Sequence, residues 1–424
     1  MEHFIKKIFI LLSFFNCFHA AVTTITQSGS YLIGADLIAT PTVANDIAIL
    51  ISASDVTLDM GNHLVTQMPG NLQPGFDAIV IETGLSDVTI KNAHVLGVSG
   101  VGIHVYDGCT NIGILDSKIE GCNTAGIFFD GSATGIGIIG ASVNNCSVST
   151  CTGAGGSPAY GIRMAHGLLG KVINSYIAFN DAGITAPSYG ISMESWCAFQ
   201  IFNSIVVGGG GTNIVAGLSV SQSYTGIVDD TIFYKGTCRD LTATGTVCGV
   251  LLDQATDILI TKCKCSSNIN NQMASFGFLA QNGSQNVFRN CLSEINLGGG
   301  YAAGFKFSGE QRSSIIDCII QDQKTVTSGT AYGVIFTDTC DKCQIIHNEI
   351  FNNIGASSSF GIKDERPVST SAIVKNYAFN NGTNYSVTYT TGVTLPVLSA
   401  SLSSASPGIP SGTGGILDNI DITP

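Results

Sequence analysis

Short runs in which apolar and polar residues alternate recur along almost the whole chain, and turn residues separate them. Each run has a period of two, which predicts a β-strand with one inward-facing side. No run has the period of an amphipathic helix, so only turns are available to connect successive strands. The pattern therefore predicts an all-β protein.

A glycine followed by an aliphatic or aromatic residue opens one of these runs about every 28 residues. The repeat glycines are Gly102, Gly126, Gly161, Gly190, Gly217, Gly249, Gly277, Gly304, Gly333 and Gly361. Ala78 and Ala48 take the same place in two earlier units, which makes about twelve units. One unit cannot bury its own apolar side, whereas stacked units bury it continuously, so the repeat predicts a solenoid.

A polar residue interrupts the second half of each unit and predicts a turn between two strands. Asparagine fills this place at Asn92, Asn203, Asn290, Asn348 and Asn376, and Ser117, Ser175, Asp230 and Asp317 fill it elsewhere. Asparagine tolerates left-handed backbone angles, and its side chain can hydrogen-bond to the equivalent residue of the next coil. We therefore expect a ladder of turn residues along the solenoid.

The glycine-opened coil, the asparagine turn and the segment ISASDVTLDMGNHLV at residues 51–65 resemble the pectate-lyase-like superfamily. The resemblance covers about residues 45–385 and implies a right-handed parallel β-helix of about twelve coils. It implies little about the reaction, because that superfamily includes lyases, polygalacturonases, epimerases, phage tailspikes and adhesins.

Four segments are predicted from these patterns. Residues 1–20 resemble a secretory signal peptide, with Lys6 and Lys7 before a short apolar run and Ala20 at its end. Residues 21–45 lack the coil pattern and predict an N-terminal cap, residues 46–385 predict the β-helix, and residues 386–424 predict a C-terminal strand or tail. We expect a secreted, cell-surface or periplasmic protein.

Charge and cysteine content narrow the partners and the compartment. The net charge of −12 disfavours nucleic acids and anionic membranes, and no second apolar stretch is long enough to span a bilayer. The chain has 14 cysteines. The spacings Cys146/Cys151, Cys238/Cys248 and Cys340/Cys343 would allow local disulfides in an exported protein, and Cys265, Cys291 and Cys318 predict a stack of thiols.

Outward-facing positions follow from the repeat glycine. The first and third residues after it are apolar in nearly every unit and should face inward, so the second should face outward. These outward residues are His104, Phe128, Arg163, Ser192, Ser219, Leu251, Leu279, Lys306, Ile335 and Lys363.

Ionisable residues recur just beyond this strand, at the predicted corner of each coil. They are Glu82, Asp107, Asp130, His166, Glu194, Asp253, Asp338 and Asp364. Adjacent coils would bring such groups to about 5 Å and alternate coils to about 10 Å. Paired carboxylates suit glycoside hydrolysis and stacked ones can bind calcium, but polar residues also fill ordinary turns.

These two sets of residues define the candidate site. The candidate catalytic residues are Asp107, Asp130, Arg163, His166 and Glu194, and the candidate substrate-binding residues are His104, Phe128, Tyr160 and Tyr189. No metal ligands are predicted, and calcium is the one cofactor considered. Because Tyr160 and Tyr189 precede repeat glycines, alternation favours an inward-facing ladder for them, with stacking against sugars as the alternative.

Two classes of function fit the sequence. The segments typical of polygalacturonases, Asn-Thr-Asp and Arg-Ile-Lys, are missing, and there are few arginines to hold uronates. The first interpretation is therefore a non-catalytic exported protein that binds a polysaccharide or a cell-surface glycan. The alternative is a polysaccharide hydrolase or lyase that uses the ionisable corner residues of successive coils.

Overall fold

The computed structural model describes residues 9–12, 22–70, 73–133, 137–153, 156–178, 180–181, 186–211, 213–234, 237–238, 245–326, 328–366, 371–387, 397–401 and 419–423. These residues form parallel β-strands and no α-helix. The fold is a parallel β-helix of about twelve coils, which confirms the prediction. The chain divides into two compact units, Met1–Ile205 and Val206–Pro424.

Each coil contributes one strand to each of three parallel sheets. Sheet 1 carries the repeat glycines, sheet 2 follows it along the chain, and sheet 3 ends the coil. In the first unit, sheet 1 comprises Thr23–Ile25, Ile47–Ile51, Asp77–Ile81, Val101–Tyr106, Ala125–Asp130, Ala159–Ala165 and Ser188–Glu194. Sheet 2 comprises Phe9–Leu12, Gly29–Ile33, Val56–Asp59, Val88–Lys91, Gly113–Leu115, Ser142–Asn144, Gly170–Ile173 and Ala198–Phe202. Sheet 3 comprises Leu37–Ala39, Leu64–Gln67, His94–Leu96, Lys118–Glu120, Ser147–Ser149, Tyr176–Ala178 and Ile205–Val207, and Ile138–Ile139 pairs separately with Gly167–Leu168.

The second unit is built in the same way. Its sheet 1 comprises Ile214–Ser221, Thr246–Asp253, Ala274–Gln281, Tyr301–Ser308, Thr330–Thr337, Ser358–Asp364 and Thr383–Val387. Sheet 2 comprises Thr225–Asp229, Ile258–Thr261, Val287–Arg289, Ser314–Ile316, Gln344–Ile346 and Ala372–Val374. Sheet 3 comprises Ile232–Tyr234, Lys264–Ser266, Leu292–Glu294, Ile319–Gln321, Glu349–Phe351, Tyr377–Phe379, Val397–Ser401 and Asn419–Thr423. A further sheet of short strands comprises Gly210–Gly211, Thr237–Cys238, Ile269–Asn270, Leu297–Gly298 and Lys324–Thr325.

Close backbone approach explains the repeat glycines. A Cβ atom on Gly126 would lie 2.2 Å from a methyl group of Val148 in sheet 3 and 2.9 Å from the carbonyl oxygen of Gly161 in the next coil. Gly304 and Gly333 would meet sheet 3 isoleucines at 2.3 and 2.2 Å. A side chain at this position has no room, so the sequence repeats glycine there.

The turn between sheets 2 and 3 contains two adjacent columns of residues, where the sequence predicted one. The first column has left-handed backbone angles and comprises Asn92, Asp116, Asn145, Asn174, Asn203, Asp230, Lys262, Asn290, Asp317, His347 and Lys375. The next residue of each turn is buried, and this second column includes Ser117, Cys146, Ser175, Ser204, Thr231, Cys263, Cys291, Cys318, Asn348 and Asn376. The predicted ladder mixed the two columns, because alternation alone cannot tell neighbouring turn positions apart.

The buried column is hydrogen-bonded from coil to coil. In the second unit, the backbone N–H of Cys291 donates to the Cys318 Sγ at 3.4 Å, and that of Cys318 donates to the Asn348 Oδ1 at 2.8 Å. Asn348 in turn donates from its Nδ2 to the Asn376 Oδ1 at 2.9 Å. The predicted thiol stack is therefore correct for Cys291 and Cys318 but wrong for Cys265, which pairs with Ser293 within sheet 3.

All cysteines whose side chains are described are buried free thiols. The Cys146/Cys151 and Cys340/Cys343 disulfides that the spacings would allow are not formed, and Cys248 is also free. The side chain of Cys238 lies outside the described residues. Within the described part of the chain, no helix is long and apolar enough to cross a membrane.

Strands continue into the segments predicted as cap and tail. Thr23–Ile25, Gly29–Ile33 and Leu37–Ala39 pair in parallel with the strands of the following coil, so residues 22–39 form one more coil. Near the C-terminus, Asn419–Thr423 pairs with Tyr377–Phe379. The predicted signal peptide lies outside the described residues except for Phe9–Leu12.

Candidate functional site

The outward positions predicted in sheet 1 are in register. His104 pairs with Phe128, Phe128 with Arg163, and Arg163 with Ser192 in successive coils of the first unit. The same holds in the second unit for the row Ser219, Leu251, Leu279, Lys306, Ile335 and Lys363. Because glycine fixes the start of each run, counting from it identified this row correctly.

The predicted corner row does not form one line. Asp130 pairs with Tyr106 and Ala165, and Ala165 pairs with Glu194, so Asp130 and Glu194 share a row. Asp107 comes one residue after this row, and its carboxylate accepts the backbone N–H of Ser132 at 3.0 Å. Asp107 therefore serves a turn and is not in the cluster described below.

Two other predicted corner residues also leave the row. His166 lies one residue beyond it in a left-handed turn position, with φ of 50°. Asp364 aligns with the buried Phe336, and its carboxylate pairs with the buried guanidinium of Arg366. Turns tolerate ionisable residues at several neighbouring positions, so residue type could not fix the register there.

His104 forms the centre of a cluster on the outer face of sheet 1. Its Nδ1 lies 2.8 Å from the Asp77 Oδ2, and the other oxygen of Asp77 accepts the backbone N–H of Val101 at 2.7 Å. The rings of Tyr106 and Phe128 stack on the imidazole, with centroids 4.2 and 5.1 Å away. An ionised carboxylate accepts hydrogen bonds only, so the contact with Asp77 places a proton on Nδ1, and the lone pair of the neutral tautomer then lies on Nε2.

The Nε2 atom of His104 is buried and has no hydrogen-bond partner among the described residues. The nearest charged group is Asp130, whose Oδ2 lies 3.7 Å away and whose side chain is 42% exposed. Burial, together with the charges of Asp77 and Asp130, raises the pKa of the adjacent Tyr106 hydroxyl. Tyr106 therefore remains a proton donor at neutral and moderately alkaline pH.

Arg163 occupies the next part of the cluster and is paired with Glu194. Its Nε and Nη2 donate to the Glu194 Oε2 at 3.1 and 2.7 Å, while the Ser192 hydroxyl donates to the Glu194 Oε1 at 2.9 Å. Burial alone would lower the pKa of Arg163, but the hydrogen bonds and charge of Glu194 raise it. The guanidinium keeps its positive charge and has further N–H groups that do not donate to Glu194.

Tyr160 and Tyr189 lie on the same outer face as Arg163, so the inward ladder favoured from the sequence is wrong for them. The Arg163 guanidinium is 4.8 Å from the centroid of the Tyr160 ring and 4.6 Å from that of Phe128. Tyr160 stacks on Tyr189 at 5.5 Å. The close packing at the repeat glycine interrupts the alternation, so a residue before the glycine cannot be assigned by counting back through it.

Sequence reasoning missed two members of the cluster, Asp77 and Tyr106. Asp77 opens its strand immediately before Ala78, which replaces the repeat glycine in that unit. Tyr106 lies two residues after His104 in one strand, so alternation places both on the same face. The signal for Tyr106 was present, whereas contact between Asp77 and His104 of the next coil depends on the turn connecting them.

The carboxylates of the cluster do not face each other across open space. His104 lies between Asp77 and Asp130, and Arg163 is bound to Glu194. Glycoside hydrolysis by two carboxylates needs a gap for the scissile bond between them, and this arrangement offers none. Within the described residues, no group of three or more His, Cys, Asp or Glu side chains is arranged to hold a metal ion.

Comparison with solved structures shows the shared fold. A mutant of the periplasmic alginate epimerase AlgG has a TM-score of 0.54 at 11% identity, with 87% of this chain and 85% of that chain covered. The A-module of a mannuronan C-5 epimerase from Azotobacter vinelandii has a TM-score of 0.48 at 15% identity, covering 83% of this chain and 91% of that one. A mannuronic-acid-specific polysaccharide family 6 lyase from the human gut microbiota has a TM-score of 0.41 at 11% identity, with coverages of 82% and 78%. No family model and no curated protein matches the chain.

Proposed function

We propose that the chain is a polysaccharide-active enzyme that removes a proton from a uronate sugar, as a lyase or an epimerase. The observation that carries the proposal is the His104 imidazole, hydrogen-bonded to Asp77 through Nδ1 and without a hydrogen-bond partner at Nε2 among the described residues. A general base needs one lone pair available, and the Asp77 contact at Nδ1 places that lone pair on Nε2 of His104.

The neighbouring groups fit the rest of such a reaction. The proton on C5 of a uronate lies next to its carboxylate, so removing it places extra negative charge on that carboxylate. The N–H groups of Arg163 that do not donate to Glu194 would stabilise this charge, and the His104 Nε2 would take the proton. The electron pair of the C5–H bond can then form a C4–C5 double bond as the bond from C4 to the glycosidic oxygen breaks.

Tyr106 would complete the lyase outcome, in which its hydroxyl donates a proton to the departing glycosidic oxygen. In an epimerase a proton from solvent returns to C5 from the opposite face and the chain stays intact. The raised pKa of Tyr106 supports the role of a proton donor.

The fold shared with the alginate epimerase AlgG agrees with the enzymatic interpretation, by analogy only. The epimerase that shares the fold acts on alginate according to its name. We therefore prefer the enzymatic interpretation to the non-catalytic one and take an alginate-like polyuronate as the first substrate to test. The proposal includes a location outside the cytoplasm, because residues 1–20 resemble a signal peptide and such polymers are extracellular.

The test measures proton removal directly. The protein is incubated with alginate and with polygalacturonate in D2O, and NMR follows deuterium at C5 while ultraviolet absorbance follows unsaturated ends. We expect at least one signal from the wild type and its loss in His104→Gln. Proton abstraction by a positioned base contributes roughly 10²–10⁴-fold to rate.

His94 provides a matched control on sheet 3 of the same unit. Its Nε2 is also buried without a hydrogen bond, and a carboxylate oxygen of Glu120 lies 3.8 Å away, but the described structure shows no hydrogen bond at its Nδ1. His94→Gln should retain activity. If neither polymer gains deuterium or unsaturated ends with the wild type, the proposal of proton abstraction is wrong. Binding of a polymer without either change would favour the non-catalytic interpretation.

A further inference from the structure

Trp196 is the one tryptophan of the chain, and its side chain is 61% exposed. Tryptophan is large and apolar and is mostly buried in folded proteins. The residue lies in the turn between the strands Ser188–Glu194 and Ala198–Phe202, beside the site described above. Its exposure is therefore unusual both for the residue type and for the place.

The backbone holds this side chain outward in a conformation that does not suit it. Ser195 and Trp196 both have left-handed angles, with φ of 51° and 67°. A bulky residue is unfavourable there, and glycine or asparagine would relieve the strain.

The turn is fixed from below by Cys197, which is buried. Its Sγ donates towards the carbonyl oxygens of Glu194 and Met164 at 3.2 and 3.4 Å. The backbone N–H of Gly167, in the equivalent turn of the preceding coil, donates to the same sulfur at 3.4 Å. Two neighbouring turns are thereby tied together.

The preceding turn carries a second exposed apolar side chain, Leu169, which is 63% exposed and also left-handed with φ of 58°. Among the described large apolar residues, Leu169 and Trp196 are the two most exposed. We name this pair the Trp196 platform. It is far smaller than the roughly 800 Å² that each partner buries in a stable protein interface, and a net charge of −12 disfavours an anionic membrane.

The platform is close to the candidate site along the chain. Trp196 follows Glu194 by two residues, so their Cα atoms are at most about 7.6 Å apart. A polymer whose reacting sugar lies at His104 and Arg163 extends beyond that site over neighbouring surface. The flat apolar face of a sugar ring stacks on an indole, which combines large contact area with few rotatable bonds.

We propose that the Trp196 platform binds a sugar ring of the polysaccharide next to the reacting one. The choice of a polyuronate as ligand rests on the proposed function. The stacked ring positions the chain, and Trp196 takes no part in proton transfer.

Fluorescence gives a readout that does not depend on activity. In a His104→Gln background, which should remove turnover, an alginate hexasaccharide is titrated while emission is excited where tyrosine does not absorb. We expect the emission of Trp196 to shift to shorter wavelength or to be quenched. By calorimetry, Trp196→Ala should weaken binding about three- to tenfold and Trp196→Phe less.

Tyr176 is the matched control, because it is an exposed aromatic residue of the same unit on sheet 3. Tyr176→Ala should leave affinity unchanged. Equal affinity of Trp196→Ala and its parent, or unchanged emission with alginate, polygalacturonate and mannan hexasaccharides, would overturn the proposal.

The two proposals can fail separately. If the protein turns over its substrate and Trp196→Ala leaves the KM unchanged, sugar binding at the Trp196 platform is wrong and the enzymatic proposal stands. An emission shift on binding, together with weaker affinity of the Trp196→Ala variant by calorimetry, in a protein without any turnover would keep the platform and reject the enzyme.

Discussion

The arrangement of Asp77, His104 and Asp130 places one ionisable ring between two carboxylates of different exposure. Asp77 is the more enclosed, with a side chain 13% exposed, and is fixed by the Val101 N–H. Asp130 is open to solvent. Asp77 contacts no substrate in the proposed reaction, so we regard it as a positioning residue that selects the tautomer of His104.

Asp77→Asn tests this role. The amide oxygen can still accept the Val101 N–H, while the amide NH2 group would donate to Nδ1 and move the imidazole proton to Nε2. We expect kcat to fall about 10²–10⁴-fold with little change in melting temperature. The pH dependence of kcat/KM should change as well, and an unaltered profile with full activity would contradict the assignment.

A second residue-scale prediction concerns the left-handed turn column. Lys375 has φ of 51°, where equivalent coils have asparagine at Asn290 and Asn203. Asparagine tolerates this conformation better than lysine, so Lys375→Asn should raise the free energy of unfolding by about 0.5–1 kcal/mol in urea titrations. Lys171→Asn, within the strand Gly170–Ile173, should give no gain. An increase in the free energy of unfolding in both variants would show that the effect comes from removing a lysine charge and not from the backbone angle.

At this scale the sequence predicted what period and glycine spacing determine. His104, Phe128 and Arg163 were placed correctly because alternation runs unbroken from the glycine. Asp107 and His166 were grouped with Asp130 and Glu194 because a turn can shift by one residue without changing its composition. Contact between Asp77 and His104 was beyond prediction, since it depends on side-chain direction across two coils.

The coil, as the structural element, depends on close contact between sheets 1 and 3 at the glycine. Gly126→Ala would place a Cβ atom 2.2 Å from the Val148 side chain. We expect a loss of about 1–3 kcal/mol in the free energy of unfolding, the usual range for overpacking. In Gly113→Ala the nearest atom would be 3.5 Å away, so this variant should keep wild-type stability. Equal losses in the two variants would show that glycine is needed for another reason.

Glu310 makes the stability of the second unit depend on pH. Its buried carboxylate accepts the Gly283 N–H at 2.8 Å, the Asn286 Nδ2 at 3.0 Å and the Ser313 hydroxyl at 2.6 Å. Burial nevertheless raises its pKa above the ordinary value of 4.5. The folded state therefore holds the proton more tightly than the unfolded state, and this contribution to stability is lost as pH rises through the raised pKa.

Glu310→Gln should remove that dependence. The melting temperature of the wild type relative to the variant is expected to fall as pH rises from about 4 towards 7. The difference between the two proteins is the relevant quantity, because Asp59 and Glu120 have lowered pKa values and act in the opposite direction. A difference that does not vary with pH would contradict the raised pKa.

For the whole molecule, the repeat was sufficient to predict a parallel β-helix because a single constraint recurs in every coil. Function has no such redundancy. The candidate site occupies a few coils of the first unit, and the second unit has the same outward row with Lys306, Ile335 and Lys363 in place of His104, Phe128 and Arg163. Coils of the same construction thus carry different outward side chains in the two units, which is why fold similarity alone does not identify the reaction.

The stability of the whole molecule should be independent of disulfides. All cysteines with described side chains are free and buried, and burial raises the pKa of Cys146 and of Cys197 to about 11. Thiols that are both inaccessible and protonated react slowly. Cys340 differs, because the hydrogen bond from Cys343 lowers its pKa, so it should react first.

We expect almost no reaction of the native protein with a thiol reagent at neutral pH and at least 12 reactive thiols after unfolding without reductant, one for each free cysteine described. Dithiothreitol should leave the melting temperature unchanged, since closing or opening a disulfide loop typically changes stability by about 2–4 kcal/mol. A lower melting temperature in dithiothreitol, with fewer thiols counted in its absence, would show that the native protein contains disulfides. In Cys340→Ser the earliest reaction of the native protein should disappear, and the number of thiols counted after unfolding should fall by one. This result would show that the early reaction comes from Cys340 and not from opening of the fold.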